Sequence, residues 1–311
     1  MTDTGKTFES AVGEDPECRC GSTDVIAVSK RMTVIGVGLI GGSLARILRQ
    51  KGAVGEIIGV GRSEGNLRRA VELGVIDRYS TDPCEGVKGA DLVFLATPVC
   101  SIASLLARIR GFLTHDCIVT DGGSVKETIV AECESLMPAG MHFVGGHPIA
   151  GTEKSGVDAS FPALYQGKRC IVTPTPLTDR RALDTVVRMW EIAGSEVITM
   201  DASKHDRIVA AISHLPHMVA YSLVNAVEGY DRLDESILSY SAGGFRDFTR
   251  IASSDPVMWR DIALMNRDAL LEMIDLFSGY FSRLRALVEN RDGQGLENFF
   301  AESKKSRDAI L

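Results

Sequence analysis

A chain of 311 residues, 45% hydrophobic and 24% charged, is long enough for two ordinary domains and apolar enough to bury a large core. A net charge of −7 and the lack of any basic stripe argue against a nucleic-acid partner, so an anionic substrate must be met by local positive charge. The seven cysteines follow no disulfide framework, and Cys18-Arg19-Cys20 has too short a gap and no second pair for zinc. A reducing cytoplasm and no metal are expected.

Residues 1–30 mix Thr, Ser, Gly, Glu and Asp with few large hydrophobes and read as a flexible extension. The apolar block 25–28 is too short for a signal peptide. No apolar run approaches the roughly 20 residues of a membrane span, so no membrane partner is expected.

From Met32 short β-rich segments alternate with amphipathic ones. Strands are predicted at 32–37, 56–60, 91–96, 117–121 and 141–144, with helices at 41–50, 64–73, 101–110 and 125–137 between them. Strands at 171–174 and 196–200 flank a further helix at 179–193. This rhythm predicts a parallel sheet with crossover helices. After Met200 the pattern turns almost wholly helical, over 202–227, 234–239, 257–289 and 296–307. Leu264, Leu270, Leu271, Ile274, Phe277 and Leu284 recur at helical spacing, and so much apolar surface needs partners. The expected fold is therefore an α/β N-terminal domain over 31–200 followed by an all-α C-terminal domain over 201–311 that also forms a homodimer interface.

The first strand leads into VIGVGLIGG. Gly36 permits a tight turn, Gly38 lets backbone approach a pyrophosphate, and Gly41 lets helix and strand pack closely. Leu39 and Ile40 complete the loop, and the N-terminus of the helix that Gly41 opens faces the phosphates. With a second strand about 20 residues on, this is a Rossmann-type dinucleotide fingerprint. That second strand ends Gly59-Val60-Gly61-Arg62-Ser63. An NAD site usually carries Asp or Glu where Gly61 stands. A 2′-phosphate is instead suited by the guanidinium of Arg62 and the hydroxyl of Ser63, so the pattern favours NADP over NAD. The bland alternative is an exposed arginine on an NAD enzyme that manages without the acid.

Thr97 and Pro98 follow the third strand on the same rim, and Ser124 and His147 follow the next two. Carboxyl-terminal strand ends line the ligand crevice in such sheets, so Ser124 and His147 are expected in one cleft. His147 opens a glycine-rich loop, GGHPIAGTEKSG, where an imidazole titrating near neutrality can meet a substrate. A solvated loop histidine is the alternative. In the helical half, SHLPH brings Ser213, His214 and His217, and GGFRDFTRIASSDPVMW brings Arg246, Asp247, Arg250 and Trp259. The plain readings are histidines capping helix segments broken by Pro216, a surface ion-pair cluster, and a core tryptophan.

Taken in order, GVGLIGGS, DGGSVK, GGHPIAGTEKSG, SHLPH and GGFRDFTRIASSDPVMW resemble the prephenate dehydrogenase family, which includes arogenate and cyclohexadienyl dehydrogenases. The resemblance runs from about Met32 to the C-terminus, and its last three motifs are specific. It implies NAD(P)-dependent oxidative decarboxylation of prephenate to 4-hydroxyphenylpyruvate, in tyrosine biosynthesis, by a homodimer acting on a small molecule. It also implies His147 as the base taking the hydroxyl proton, Ser124 positioning that hydroxyl, and Arg250 binding the ring carboxylate. His217 and Trp259 match positions associated with the substrate side chain, Arg246 adds charge or holds loop residues, and Ser213 supports the network around His147. His205-Asp206 also fits the family pattern, with helix support as its reading. No regulatory or chorismate mutase segment is expected.

Arogenate preference is the near alternative. Hydroxyacid and imine reductases share the architecture but typically need a lysine where this chain has SHLPH. A non-catalytic NADP-binding sensor is a remote third reading, opposed by the intact Ser124, His147 and Arg250 set.

Overall fold

The computed structural model describes residues 28–152, 154–231 and 237–310, so most of the extension read over 1–30 lies outside the described residues. One eight-stranded sheet spans the first domain in the order β3-β2-β1-β4-β5-β6-β7-β8. Its strands are β1 (Ser29–Ile35), β2 (Val54–Val60), β3 (Arg78–Ser80), β4 (Leu92–Leu95), β5 (Ile118–Asp121), β6 (His142–Pro148), β7 (Arg169–Thr173) and β8 (Glu196–Thr199). Helices α1 (Leu39–Gln50), α2 (Glu64–Glu72), α3 (Pro83–Gly86), α4 (Ile102–Ile109), α5 (Glu127–Leu136) and α6 (Arg180–Ile192) connect them. Strand order reverses between β1 and β4, which opens a ligand crevice at their carboxyl ends. The core fills both faces, around Leu44, Phe94 and Trp190 on one and Leu106, Val119 and Phe143 on the other.

Two expectations for the sheet need correction. It is not wholly parallel: β6 pairs parallel with β5 but antiparallel with β7. The fifth predicted strand also does not stop at Val144. Strand β6 runs on through Gly145, Gly146 and His147, which pair with Thr173, Val172 and Ile171. The two glycines read as loop, but they serve close packing. A Cβ on Gly145 would sit 2.6 Å from Thr173 Oγ1 and Val130 Cγ2, and one on Gly146 would sit 3.0 Å from the Asp121 carbonyl oxygen. His147 is therefore held by a strand, not by a loop. Strand β1 likewise starts at Ser29, three residues before its predicted start, and the short β3 and α3 were not foreseen.

From Ala202 the described chain is helical: α7 (Ala202–Val209), α8 (Leu215–Asp231), α9 (Gly243–Thr249), α10 (Pro256–Met265), α11 (Arg267–Glu289) and α12 (Gly293–Asp308). The predicted helix at 234–239 lies partly outside the described residues, and residues Ile237–Tyr240 form a 3-10 turn. Pro216 does not break the helix it enters. It has no N–H for the carbonyl four residues back, and the backbone widens into a π turn at Ala210–His214 just before it. The helix predicted over 257–289 divides at Asn266, whose backbone leaves helical geometry (φ −101°, ψ 35°).

Trp259 and Ile262 of α10 join the sheet's second core, with Met218 and Tyr221 of α8 packed beside them, which docks the helical part on the sheet. The helix over 202–230 is long and apolar enough in composition to cross a membrane, but its first turn carries buried His205 and Asp206, hydrogen-bonded to the sheet domain. A bilayer offers those groups no partner. Leu276, Tyr280 and Phe281 on α11 remain exposed.

Candidate active site

The glycine loop is built around backbone approach. Gly36 has φ +99°, and a Cβ there would lie 2.2 Å from the Ala96 carbonyl oxygen; one on Gly41 would lie 2.2 Å from the Gly36 carbonyl oxygen. At Gly38 a Cβ meets nothing within 4 Å, so this side of the loop opens into space. Gly38 is also the N-cap of α1 and provides no side-chain cap, leaving the first-turn N–H groups around Leu39, Ile40 and Gly41 directed at that space. These features fit a dinucleotide pyrophosphate. Asn66 of α2 donates to the Val37 carbonyl at 2.8 Å and accepts from Val157 N at 3.1 Å, fixing the loop. This anchor was not foreseen from the sequence.

Ser63 accepts from Asn66 N at 3.3 Å as the N-cap of α2, so its hydroxyl has a structural use beside its expected ligand role. Arg62 is exposed at the end of β2. Arg68 and Arg69 are engaged elsewhere, with Glu64 at 2.8 Å and with Asp158 at 3.0 Å. A Cβ on Gly61 would meet Leu67 at 3.5 Å, ordinary contact, so packing does not exclude an acid there. Thr97, half-buried on the rim with exposed Pro98 beside it, accepts from Ser101 Oγ at 3.0 Å.

Asp121 organises the crevice floor at the end of β5. One carboxylate oxygen accepts from Gly146 N at 3.0 Å; the other accepts from Gly123 N at 2.9 Å and pairs with the Lys126 ammonium. Both Asp121 and Lys126 are fully buried. One side chain thus ties the Ser124 loop to the strand carrying His147, and the DGGSVK spacing was its signal. Ser124 is half-buried on that loop.

His147 is half-buried, and its Nδ1 lies 2.8 Å from Nε2 of His205. His205 Nδ1 lies 2.7 Å from Asp206 Oδ1. Asp206 in turn accepts from Lys126 N at 2.8 Å and Glu127 N at 2.9 Å. Desolvation, followed by the neighbouring His205, Lys126 and His214, holds the His147 imidazole well below the ordinary histidine range, so it is neutral at physiological pH. The backbone carbonyl of Ser213, a residue expected in the network around His147, accepts from His217 Nδ1 at 2.9 Å.

On the helical side, Asn266 donates to the Asp206 carbonyl at 2.9 Å and bonds His214 Nδ1 at 3.0 Å. His214 meets the Trp259 ring edge-on at 5.9 Å, and His217 stacks on the same ring at 3.6 Å. Trp259 is buried, and its indole N–H has no partner among the described residues. Burial lowers the His217 pKa; its bond to the Ser213 carbonyl opposes this, and the Arg250 charge lowers it further. His147, His214, Trp259, His217 and Arg250 thus form a series of neighbours from sheet to helices. Arg250 and Arg246 are both exposed, and Arg246 donates to Ser241 Oγ at 3.4 Å. Trp259 is a core residue, as the plain reading has it, and the same ring is also the contact between His214 and His217. The cluster brings together a neutral imidazole, an indole N–H without a partner among the described residues and, within electrostatic reach of His217, the Arg250 guanidinium, a set that suits oxidation of an anionic alcohol.

A family model described as "Prephenate dehydrogenase, nucleotide-binding domain" matches residues 44–199, and one described as "Prephenate dehydrogenase, dimerization domain" matches 201–302. The chain is 37% identical over 276 residues to the prephenate dehydrogenase of Bacillus subtilis, covering 88% of this chain and 74% of that one. It is 37% identical over 286 residues to the cyclohexadienyl dehydrogenase of Zymomonas mobilis, covering 92% and 97%. The crystal structure of Aquifex aeolicus prephenate dehydrogenase with hydroxyphenyl propionate and NAD+ superimposes with a TM-score of 0.86 at 38% identity, covering 91% and 98%. That of Synechocystis arogenate dehydrogenase gives 0.76 at 32%, covering 90% and 100%.

Proposed function

The chain belongs to the prephenate dehydrogenase family, nicotinamide-dependent oxidoreductases of tyrosine biosynthesis, and from that premise we propose how its residues divide the oxidative decarboxylation of prephenate to 4-hydroxyphenylpyruvate. The observation that carries the proposal is the series of neighbours linking neutral His147 to Arg250 in a chain that also bears the glycine loop. His147 accepts the ring hydroxyl proton at Nε2, since its Nδ1 is engaged by His205. Ser124 positions that hydroxyl. Arg250 binds the ring carboxylate through its planar fork, with Arg246 adding positive charge to the same side. His217 and Trp259 contact the substrate side chain, and Ser213 sets the orientation of His217. When bound, the dinucleotide supplies the hydride acceptor. Loss of the ring carboxylate as carbon dioxide then yields the aromatic phenol.

Gly36, Gly38, Leu39, Ile40 and Gly41 hold the pyrophosphate, with Thr97 and Pro98 on the rim. We favour NADP over NAD on the strength of Gly61, Arg62 and Ser63, although the Aquifex relative is in complex with NAD+. Prephenate is favoured over arogenate as substrate. The helical domain is a dimerisation domain, and the exposed α11 face supports a homodimer. The five described cysteines are free thiols, in keeping with a reducing cytoplasm.

The test crosses prephenate and arogenate with NAD+ and NADP+, following reduced nicotinamide by absorbance. The expected result is highest kcat/KM for prephenate with NADP+. No turnover of either substrate, despite dinucleotide binding, would return the sensor reading.

A further inference from the structure

Sequence alone gives His205 and Asp206 no role beyond supporting a helix. Their geometry assigns them one. Both oxygens of Asp206 accept backbone N–H groups, from Lys126 and Glu127, so the group facing His205 Nδ1 is an acceptor. His205 must therefore carry its proton on Nδ1 and present a bare Nε2. The atom 2.8 Å from that Nε2 is His147 Nδ1, which must then be the donor. A neutral His147 with its proton on Nδ1 keeps its lone pair on Nε2, the nitrogen a base needs.

We propose that His205 and Asp206 are positioning residues that set the tautomer and orientation of His147 from across the domain boundary. The inference rests on the base role proposed for His147. His147 sits on β6 of the sheet domain, whereas His205 and Asp206 sit on α7 of the helical domain. The competent base therefore exists only when the domains are docked. When His147 takes the hydroxyl proton on Nε2, its Nδ1 proton stays in place, and Asp206 stabilises the imidazolium through His205. The other groups facing His147 are Lys126, which pairs with Asp121, and His214, whose Nδ1 is occupied by Asn266. Neither supplies an acceptor to Nδ1. His205 is fully buried, and both of its ring nitrogens are in use.

The test has two arms on the intact dimer. The first is nitrogen-15 NMR of the His147 ring in the wild-type protein at neutral pH, which should show a protonated Nδ1 and a bare Nε2; the reverse tautomer overturns the proposal whatever the variants do. The second is steady-state kinetics of His205→Leu, His205→Gln and His147→Asn. His205→Leu removes the acceptor and should lower kcat on the order of 10²-fold, with KM for prephenate and dinucleotide affinity nearly unchanged. His205→Gln can present its amide oxygen near the Nε2 position and should recover most of that loss. An unimpaired His205→Leu, with His147→Asn inactive, overturns the positioning role alone. An active His147→Asn overturns the base role itself.

Discussion

His217 and Trp259 stack face to face, with ring centroids 3.6 Å apart and planes 23° from parallel. The stack joins α8 to α10, and its indole belongs to the same core that seats the helical domain on the sheet. It therefore ties the side of the site proposed for the substrate to domain docking. The Arg250 charge lowers the His217 pKa, so Arg250 lies within electrostatic reach of the stack.

Arg250→Gln should raise KM for prephenate about 10- to 100-fold, with a smaller change in kcat, because a carboxylate loses its charged partner. Arg250→Lys restores charge without the planar fork and should recover only part of the loss. Initial-rate kinetics across prephenate concentration read both. An unchanged KM in the glutamine variant would remove Arg250 from the carboxylate.

Cofactor choice should follow the end of β2. Gly61→Asp places a carboxylate where a 2′-phosphate would sit, and the surrounding space admits a Cβ. It should shift the kcat/KM ratio of NADP+ to NAD+ about tenfold or more toward NAD+. Arg62→Ala should weaken NADP+ more than NAD+. Equal effects on both dinucleotides would withdraw the phosphate argument.

Acid should destabilise the fold through its buried imidazoles. Burial pushes the His214 pKa down to about 4, outweighing the attraction of Asp206. Unfolded histidine titrates near pH 6.5. Between these values the unfolded chain binds a proton that the folded chain refuses, so stability falls as pH drops through this window and levels off below it. The loss at His214 is on the order of 3 kcal/mol, and His147 acts in the same direction. Thermal melts from neutrality to about pH 4.5 should show a steeper loss of Tm in the wild type than in His214→Asn. Identical slopes would count against this source of acid sensitivity.

The exposed face of α11 should be the dimer seam. Phe281 is 62% exposed and stacks with Phe277, and patches of this kind mark interaction surfaces. Light scattering should give a dimer mass for the wild type and a shift toward monomer for Phe281→Asp. A wild-type monomer would contradict the seam.

Much of this architecture was legible because period and punctuation agreed. The strand–glycine–helix rhythm marked the dinucleotide fold, and the loss of strand signals after Met200 marked the helical half. What escaped was set by tertiary contact. Gly145 and Gly146 have the composition of a loop, yet they are strand residues required by Thr173, Val130 and Asp121. Asn266 looks ordinary within a helical stretch but divides it, because its side chain is drawn to Asp206 and His214. His205 and Asp206 were visible as a pair without a purpose, since their partners lie on β6 and at the start of α5, far away in sequence.

The most direct measurement is the kinetics of His147→Asn on prephenate with saturating dinucleotide. If the neutral imidazole takes the hydroxyl proton, kcat should fall by about 10²- to 10⁴-fold while KM for prephenate barely moves. A kcat retained near the wild-type value, or a loss carried by KM instead, would contradict that role.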